Sequence, residues 1–218
     1  HEFARRAMTA HEACQPMPLL SDSDAPPLSR GYELQRAYVD LLLKGIGGLS
    51  EMRQPRHIRG FKAALTNIAA QQSMGMTTPA GGVLVSGHEY RSPCQIKLAD
   101  FCRPIIETEI GYRISRAVTQ PVSLGNLNEY IDCSLPMVEI ADAGYATPNA
   151  AGRTMSGADL VAANSAAGGY IIGLADLQPV NTDDIEVTLH RGDEALSLAH
   201  GRDAMGSQAA VLVWLINH

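Results

Sequence analysis

Apolar positions along this chain fall into two regimes. Up to about residue 50 they recur at helical spacing. Residues 2–14 read as one helix and residues 31–44 as a second, in which Leu34, Ala37, Tyr38, Leu41 and Leu42 occupy i, i+3, i+4, i+7 and i+8 of a single stripe. Gly45, Gly47 and Gly48 end that helix. Between the two, residues 15–30 contain Ser21-Asp22-Ser23-Asp24 and Pro26-Pro27, which disfavour regular structure. From residue 57 the pattern shortens to that of strands, predicted over 57–65, 81–86, 94–98, 104–115, 135–141 and 168–173. A hairpin is predicted from 185–190 and 195–200 about Gly192-Asp193. Helices intervene: one capped by Thr66-Asn67 and running to about Met74, a short one over 126–131, one over 156–163, and a closing amphipathic or buried helix over 207–216. There is no internal repeat. Helices at the front followed by many short strands predict an α+β chain, with a helical region over 1–50 and a β-rich domain over 51–218.

Composition narrows the class. The chain has 218 residues, of which 45% are apolar and 18% charged, and a mean hydropathy of -0.05. That supports a folded chain with one sizeable core or two small ones and excludes a disordered one. A net charge of -6 without any basic run argues against a nucleic-acid partner. No apolar stretch approaches the roughly 18 residues of a membrane span. The four cysteines, Cys14, Cys94, Cys102 and Cys133, fit no zinc spacing. They read either as buried free thiols or as one or two disulfides, with three possible connectivities. The expected location is cytoplasmic; the cysteines and an N-terminus without Met leave an exported form as the alternative.

The chemistry concentrates in three glutamates. Glu107 and Glu109 alternate within an otherwise apolar run, Pro104 to Ile110, so on a strand they share a face. Glu139 lies thirty residues on, in the apolar run Leu135 to Ile140. Burying three carboxylates is costly without a compensating positive charge. A hard divalent cation such as Mg²⁺ or Mn²⁺ supplies it through oxygen ligands; the alternative is a solvated sheet face paired with arginines.

With these segments placed, the chain resembles the 2-keto-4-pentenoate hydratase group of the fumarylacetoacetate hydrolase superfamily. Four segments carry the resemblance: Gly60-Phe61-Lys62-Ala63-Ala64-Leu65-Thr66-Asn67, Pro79-Ala80-Gly81-Gly82-Val83-Leu84, the acidic strand Pro104 to Ile110, and Pro136 to Glu139. Asn164 to Gly169 and the terminal helix Ala209 to Asn217 match more weakly. The resemblance implies a mixed β-roll or barrel-like core with flanking helices, and Mg²⁺ or Mn²⁺ held by Glu107, Glu109 and Glu139. It implies a substrate site including Lys62, Leu65, Val83, Leu84 and Asn164, with Lys62 as substrate clamp or proton-transfer group. By position alone, Lys62 reads as a strand lysine facing solvent. The activity implied is hydration of a 2-hydroxy-2,4-dienoate to a 4-hydroxy-2-oxo acid, by a homo-oligomer acting on a small 2-oxo or 2-hydroxy-dienoic acid. Two alternatives stand beside it: decarboxylation of a 2-oxo acid of the 4-oxalocrotonate type, and a degenerate member that binds a small acid or a partner without turnover.

The chain departs from the family pattern at three points. Ala80 stands where members often carry an acid/base Asp, and Thr77 and Thr78 nearby cannot replace a carboxylate base. Ala64 replaces the second glycine of the lysine segment, and Ile105 the basic residue two before the first acid. Relatives continue beyond the terminal helix into the last strands of the roll, so the resemblance implies a domain without its usual C-terminal strands and with open edges. The remaining candidates carry little. His11, His57, His88, His190 and His200 form no metal-binding spacing. Ser165 lacks a nucleophile-elbow context, Gly168-Gly169 is no phosphate loop, and Tyr170 and Trp214 read as core.

Overall fold

Helix–helix packing at the N-terminus begins from small residues. In the computed structural model, which describes residues 2–46, 54–142, 144, 148–174 and 181–218, α1 (Glu2–Glu12) buries Ala4, Ala7 and Met8 against Tyr38 and Leu41 of α2 (Leu28–Leu43). The stripe read from the sequence is the buried one: Leu34, Tyr38 and Leu41 face inward. α2 starts at Leu28, three residues before the predicted start, directly after Pro27, whose fixed φ suits a helix entry. Gly45, at φ 67°, ends it; Gly47, Gly48 and the boundary expected at residues 50 and 51 lie outside the described residues.

The strands of the described residues form three sheets. β1 (Ile58–Ala64) pairs antiparallel with β2 (Ala80–Val85), setting Lys62 opposite Gly82. Asn67 caps the intervening α3 (Ile68–Ser73), its side chain accepting from the Ala70 N–H at 2.8 Å. β3 (Glu89–Arg91), β4 (Pro104–Ile114), β5 (Ile131–Asp142) and β6 (Ala167–Ile172) make a mixed sheet in the order β3-β6-β5-β4. β7 (Glu186–Arg191) and β8 (Glu194–His200) form the predicted hairpin, with Gly192 left-handed at φ 61°. This is an α+β arrangement.

Two sequence expectations fail. Residues 94–98 are not a strand: among the described residues they pair with no neighbour, and the chain passes into a 3-10 turn at Leu98–Asp100. The helix expected over 126–131 is a 3-10 turn at Leu127–Glu129, after which β5 begins four residues earlier than expected.

α4 (Gly157–Ala162) is buried along its whole length and packs against α2. A Cβ on Gly31 would lie 2.6 Å from the Ala158 carbonyl oxygen, so this glycine permits the helices to approach backbone to backbone. A capping box of Ser156 and Asp159 starts α4, and the Arg153 guanidinium pairs with Asp159 at 2.9 Å. α5 (Gln208–Asn217) packs Leu212 against Val122, Leu127 and Tyr130. No helix of the described residues is long and apolar enough to cross a membrane.

Candidate metal and substrate site

The three glutamates converge through strand register. β4 and β5 pair with Glu107 directly opposite Glu139, and Glu109 follows on the same face opposite Met137. One carboxylate oxygen from each residue lies within 4.8 Å of the other two, and this is the single such cluster among the described residues. Gly111, next on that face, has no side chain, and a Cβ there would meet the Met137 sulfur at 2.1 Å. Met137 therefore lies across Gly111 beside Glu109.

Lys62 crosses to the acids from the β1–β2 pair. Its ammonium is in close ionic contact with Glu139 Oε1 and donates to the Ser165 carbonyl at 2.9 Å. Both partners are buried, with side-chain exposures of 10% for Lys62 and 7% for Glu139. The solvent-facing alternative for Lys62 is thus set aside. Phe61, on the opposite face of β1, is the exposed neighbour at 61%. The stem of Lys62 runs over Gly82, where a Cβ would stand 2.9 Å from Lys62 Cγ and 3.1 Å from the Asn164 carbonyl oxygen.

Desolvation dominates the electrostatics. Protein atoms crowd the Glu109 carboxyl although its outer side is open to solvent. That desolvation first, and then the charge of Glu139, push its pKa up to about 7, with Lys62 pulling in the opposite sense. Burial likewise raises Glu139, and the Lys62 ammonium opposes it. Three carboxylates against one ammonium leave two negative charges when all are ionised, the complement of a divalent cation. Carboxylate oxygens gathered within 4.8 Å of one another are the donor type that a hard divalent cation such as Mg²⁺ takes. The donor set fits the expected metal.

The other residues expected at the site are divided. Leu84 lies on the Lys62 face of its sheet, opposite Gly60. Val83 pairs with Phe61 on the other face and lines a groove of about 240 Å³ against Val39 and Leu43 of α2. Leu65 has φ 56° and packs beside Met76, Ala80 and Val161. Asn164 is 1% exposed, and its amide is committed to the Val83 backbone, accepting from the N–H and donating to the carbonyl, each at 2.8 Å. It stitches the 164–166 turn to β2. Ala80 is fully buried in apolar surroundings. A larger concavity of about 390 Å³, between residues 23–28 and the start of α4, also lies away from the acids.

The sequence reading missed Gly82, Gly111 and Met137, and the role of Ser165. Ser165 acts through its backbone carbonyl, while its hydroxyl is spent on the Gly81 carbonyl at 2.8 Å. Residues 164, 165 and 166 all hold positive φ, at 58°, 50° and 59°, which aims that carbonyl at Lys62. The signal available was weak, since only Asn164 among the three is a residue that favours this conformation.

No family model matches this chain. 2-keto-4-pentenoate hydratase 1 of Dechloromonas aromatica (strain RCB) is 26% identical over 170 residues, covering 75% of this chain and 62% of that protein. 2-keto-4-pentenoate hydratase of Paraburkholderia xenovorans (strain LB400) is 27% identical over 163 residues, 73% of this chain and 59% of that protein. The chain therefore spans about three-fifths of the length of these hydratases. 4-oxalocrotonate decarboxylase of Pseudomonas sp is 22% identical over 211 residues, 97% of this chain and 77% of that protein. Among solved structures, 4-oxalocrotonate decarboxylase from Pseudomonas putida G7, complexed with magnesium and adipate, superposes with a TM-score of 0.70 at 21% identity, over 89% of this chain and 82% of that one. The chain is thus similar in sequence to the 2-keto-4-pentenoate hydratases, as its motifs led one to expect, and it shares the decarboxylase fold.

Proposed function

We propose that the chain is a divalent-metal-dependent lyase that hydrates a 2-hydroxy-2,4-dienoate to a 4-hydroxy-2-oxo acid. The observation that carries this reading is the convergence of Glu107, Glu109 and Glu139 with the Lys62 ammonium at the same carboxylate. Glu107, Glu109 and Glu139 would hold Mg²⁺; Mn²⁺ suits the same oxygens. The cation supplies Lewis-acid polarisation of the 2-oxo acid end and stabilises negative charge that develops there. Lys62 orients the substrate carboxylate and is placed to pass a proton, with its stem fixed by Gly82 and its head by Glu139 and the Ser165 carbonyl. Leu84 lines the Lys62 face of its sheet. Ala80 offers no acid or base, so proton transfer falls to Lys62 or to water held near the acids. The β-roll architecture and a homo-oligomeric assembly belong to the same reading.

Decarboxylation of a 2-oxo acid is the second reading. Similarity to a 4-oxalocrotonate decarboxylase across 97% of the chain favours it. Both reactions draw on the same stabilised enolate.

The test is calorimetric binding of oxalate, a stable mimic of that enolate, with Mg²⁺ or Mn²⁺, to the wild type and to Glu109→Ala. Binding that requires both the metal and Glu109 supports the site. A folded wild type that takes up no oxalate overturns the reading. Products from dienoates with and without a second carboxylate then separate hydration from decarboxylation.

A further inference from the structure

Two of the four cysteines meet where α1 reaches the acid-bearing sheet. Asp142, the last residue of β5, is the hub. Its Oδ2 accepts from His11 Nε2 and from the Cys102 backbone N–H, each at 2.9 Å. The last turn of α1 and the approach to β4 are thereby drawn onto one oxygen atom. A Cβ on Gly144 would lie 3.2 Å from His11 Cδ2 and 3.6 Å from Cys102 Sγ, so the imidazole and that sulfur both border Gly144. Cys14 follows His11 by one turn: its N–H donates to the His11 carbonyl at 3.0 Å, and its φ of 50° folds the chain back at the helix end. Cys94 is exposed, and Cys133 is buried within β5. The spacing of the cysteines leaves three pairings open, and this geometry favours one.

We propose that Cys14 and Cys102 form a redox-active thiol pair that closes to a disulfide, pinning the end of α1 to the entry of β4. Burial first, and then the neighbouring Cys14 side chain, push the Cys102 thiol up to about 12. Cys14 is the exposed partner, so exchange begins there. With a small disulfide such as oxidised glutathione, the Cys14 thiolate attacks one sulfur and expels one glutathione thiolate. Cys102 then gives up its proton and attacks the Cys14 sulfur of the mixed disulfide, expelling the second glutathione thiolate. Two protein thiols are oxidised, and one oxidised glutathione is reduced to two glutathione molecules. The bond crosslinks α1, which packs on α2 through Ala4, Ala7 and Met8, to the strand that carries Glu107 and Glu109.

The experiment equilibrates the full chain in glutathione buffers of rising oxidised fraction. Crosslinks are mapped by mass spectrometry of unreduced peptides, and the thermal midpoint is recorded. The expected result is a Cys14–Cys102 linked peptide and a midpoint about 5 °C higher, reversed by dithiothreitol. Cys94→Ser should keep both effects, and Cys14→Ser, a substitution at an exposed position, should lose both. Accumulation of Cys14 as a mixed disulfide with glutathione at full oxidation, without a linked peptide, overturns the pairing. So does a Cys14–Cys94 linkage.

Discussion

Lys62 carries the charge balance of the site on one ammonium. Glu139 beside it is buried, and its carboxylate has no other cation within contact among the described residues. Removing one partner of a buried pair costs about 3–5 kcal/mol, because the remaining charge stays desolvated. Glu139 can relieve part of that cost by taking up a proton, since burial already raises its pKa. Lys62→Met should therefore lose about 3 kcal/mol in urea unfolding without divalent metal, toward the low end of that range. Added Mg²⁺ should restore part of the loss, and a variant as stable as the wild type in EDTA would show the pair to be dispensable. Gly82→Ala probes the same lysine sterically. Its Cβ would press on Lys62 Cγ at 2.9 Å and on a backbone oxygen at 3.1 Å. Overpacking of this kind costs about 1–3 kcal/mol. Turnover of any substrate should fall about tenfold through misplacement of Lys62, a scale set by the sensitivity of catalysis to small displacements. Steady-state kinetics beside thermal melts would separate that effect from unfolding. The acids were legible as residue types in apolar strands, whereas Lys62 was legible only through the resemblance, since by position alone it reads as a lysine facing solvent. Gly82 was not, because its role is the space it leaves for a side chain from another strand.

Among the elements, apolar runs marked β4 and most of β5, and each is a strand that keeps a neighbour along its length. The alternation of apolar and polar residues at Cys94 to Leu98 misled, since a strand also needs an edge to pair with, and pairing partners are not written in local pattern. β3 escaped notice for the opposite reason: three residues hold no readable period, yet they pair in parallel with Tyr170 to Ile172 of β6. The end of β5 shows what fastens these elements. Asp142 has a side chain 1% exposed and accepts from His11, from the Cys102 N–H at 2.9 Å and from the Arg103 N–H at 2.7 Å. Burial works to raise its pKa, but these hydrogen bonds outweigh it and the net shift is downward from 3.8. A carboxyl whose folded pKa is depressed contributes stability that is intact above its unfolded pKa. That contribution is lost as pH falls through the folded value. Asp142 should therefore steepen the loss of stability below about pH 4. Asp142→Asn should lose about 2 kcal/mol at pH 7, its amide unable to accept all three bonds, and should show a shallower acid limb in urea midpoints. Parallel acid limbs for variant and wild type would assign the acid sensitivity to other carboxylates.

For the whole molecule, the acid cluster opposes the fold until it is neutralised. Glu109 and Glu139 both have raised pKa values, so in the metal-free protein near neutral pH their ionisation works against the folded state. The same feature makes the native state the preferred receptor for a divalent cation, because the unfolded chain does not bring β4 and β5 into register. A ligand that binds only the native state stabilises it by about 2.7 kcal/mol at a hundredfold excess over its dissociation constant. For a chain of this size that corresponds to a rise in thermal midpoint of about 5–10 °C. Mg²⁺ should produce such a rise in the wild type, EDTA should reverse it, and Glu109→Ala should abolish it while melting cooperatively on its own. The variant also discriminates between causes. If Mg²⁺ acts by general screening of a chain with net charge -6, then removing one acid of twenty-three leaves the response nearly whole, and an equal ionic strength of NaCl reproduces it. A response that survives in Glu109→Ala, or that NaCl mimics, would return the three glutamates to the solvated acidic sheet face that their spacing alone permits.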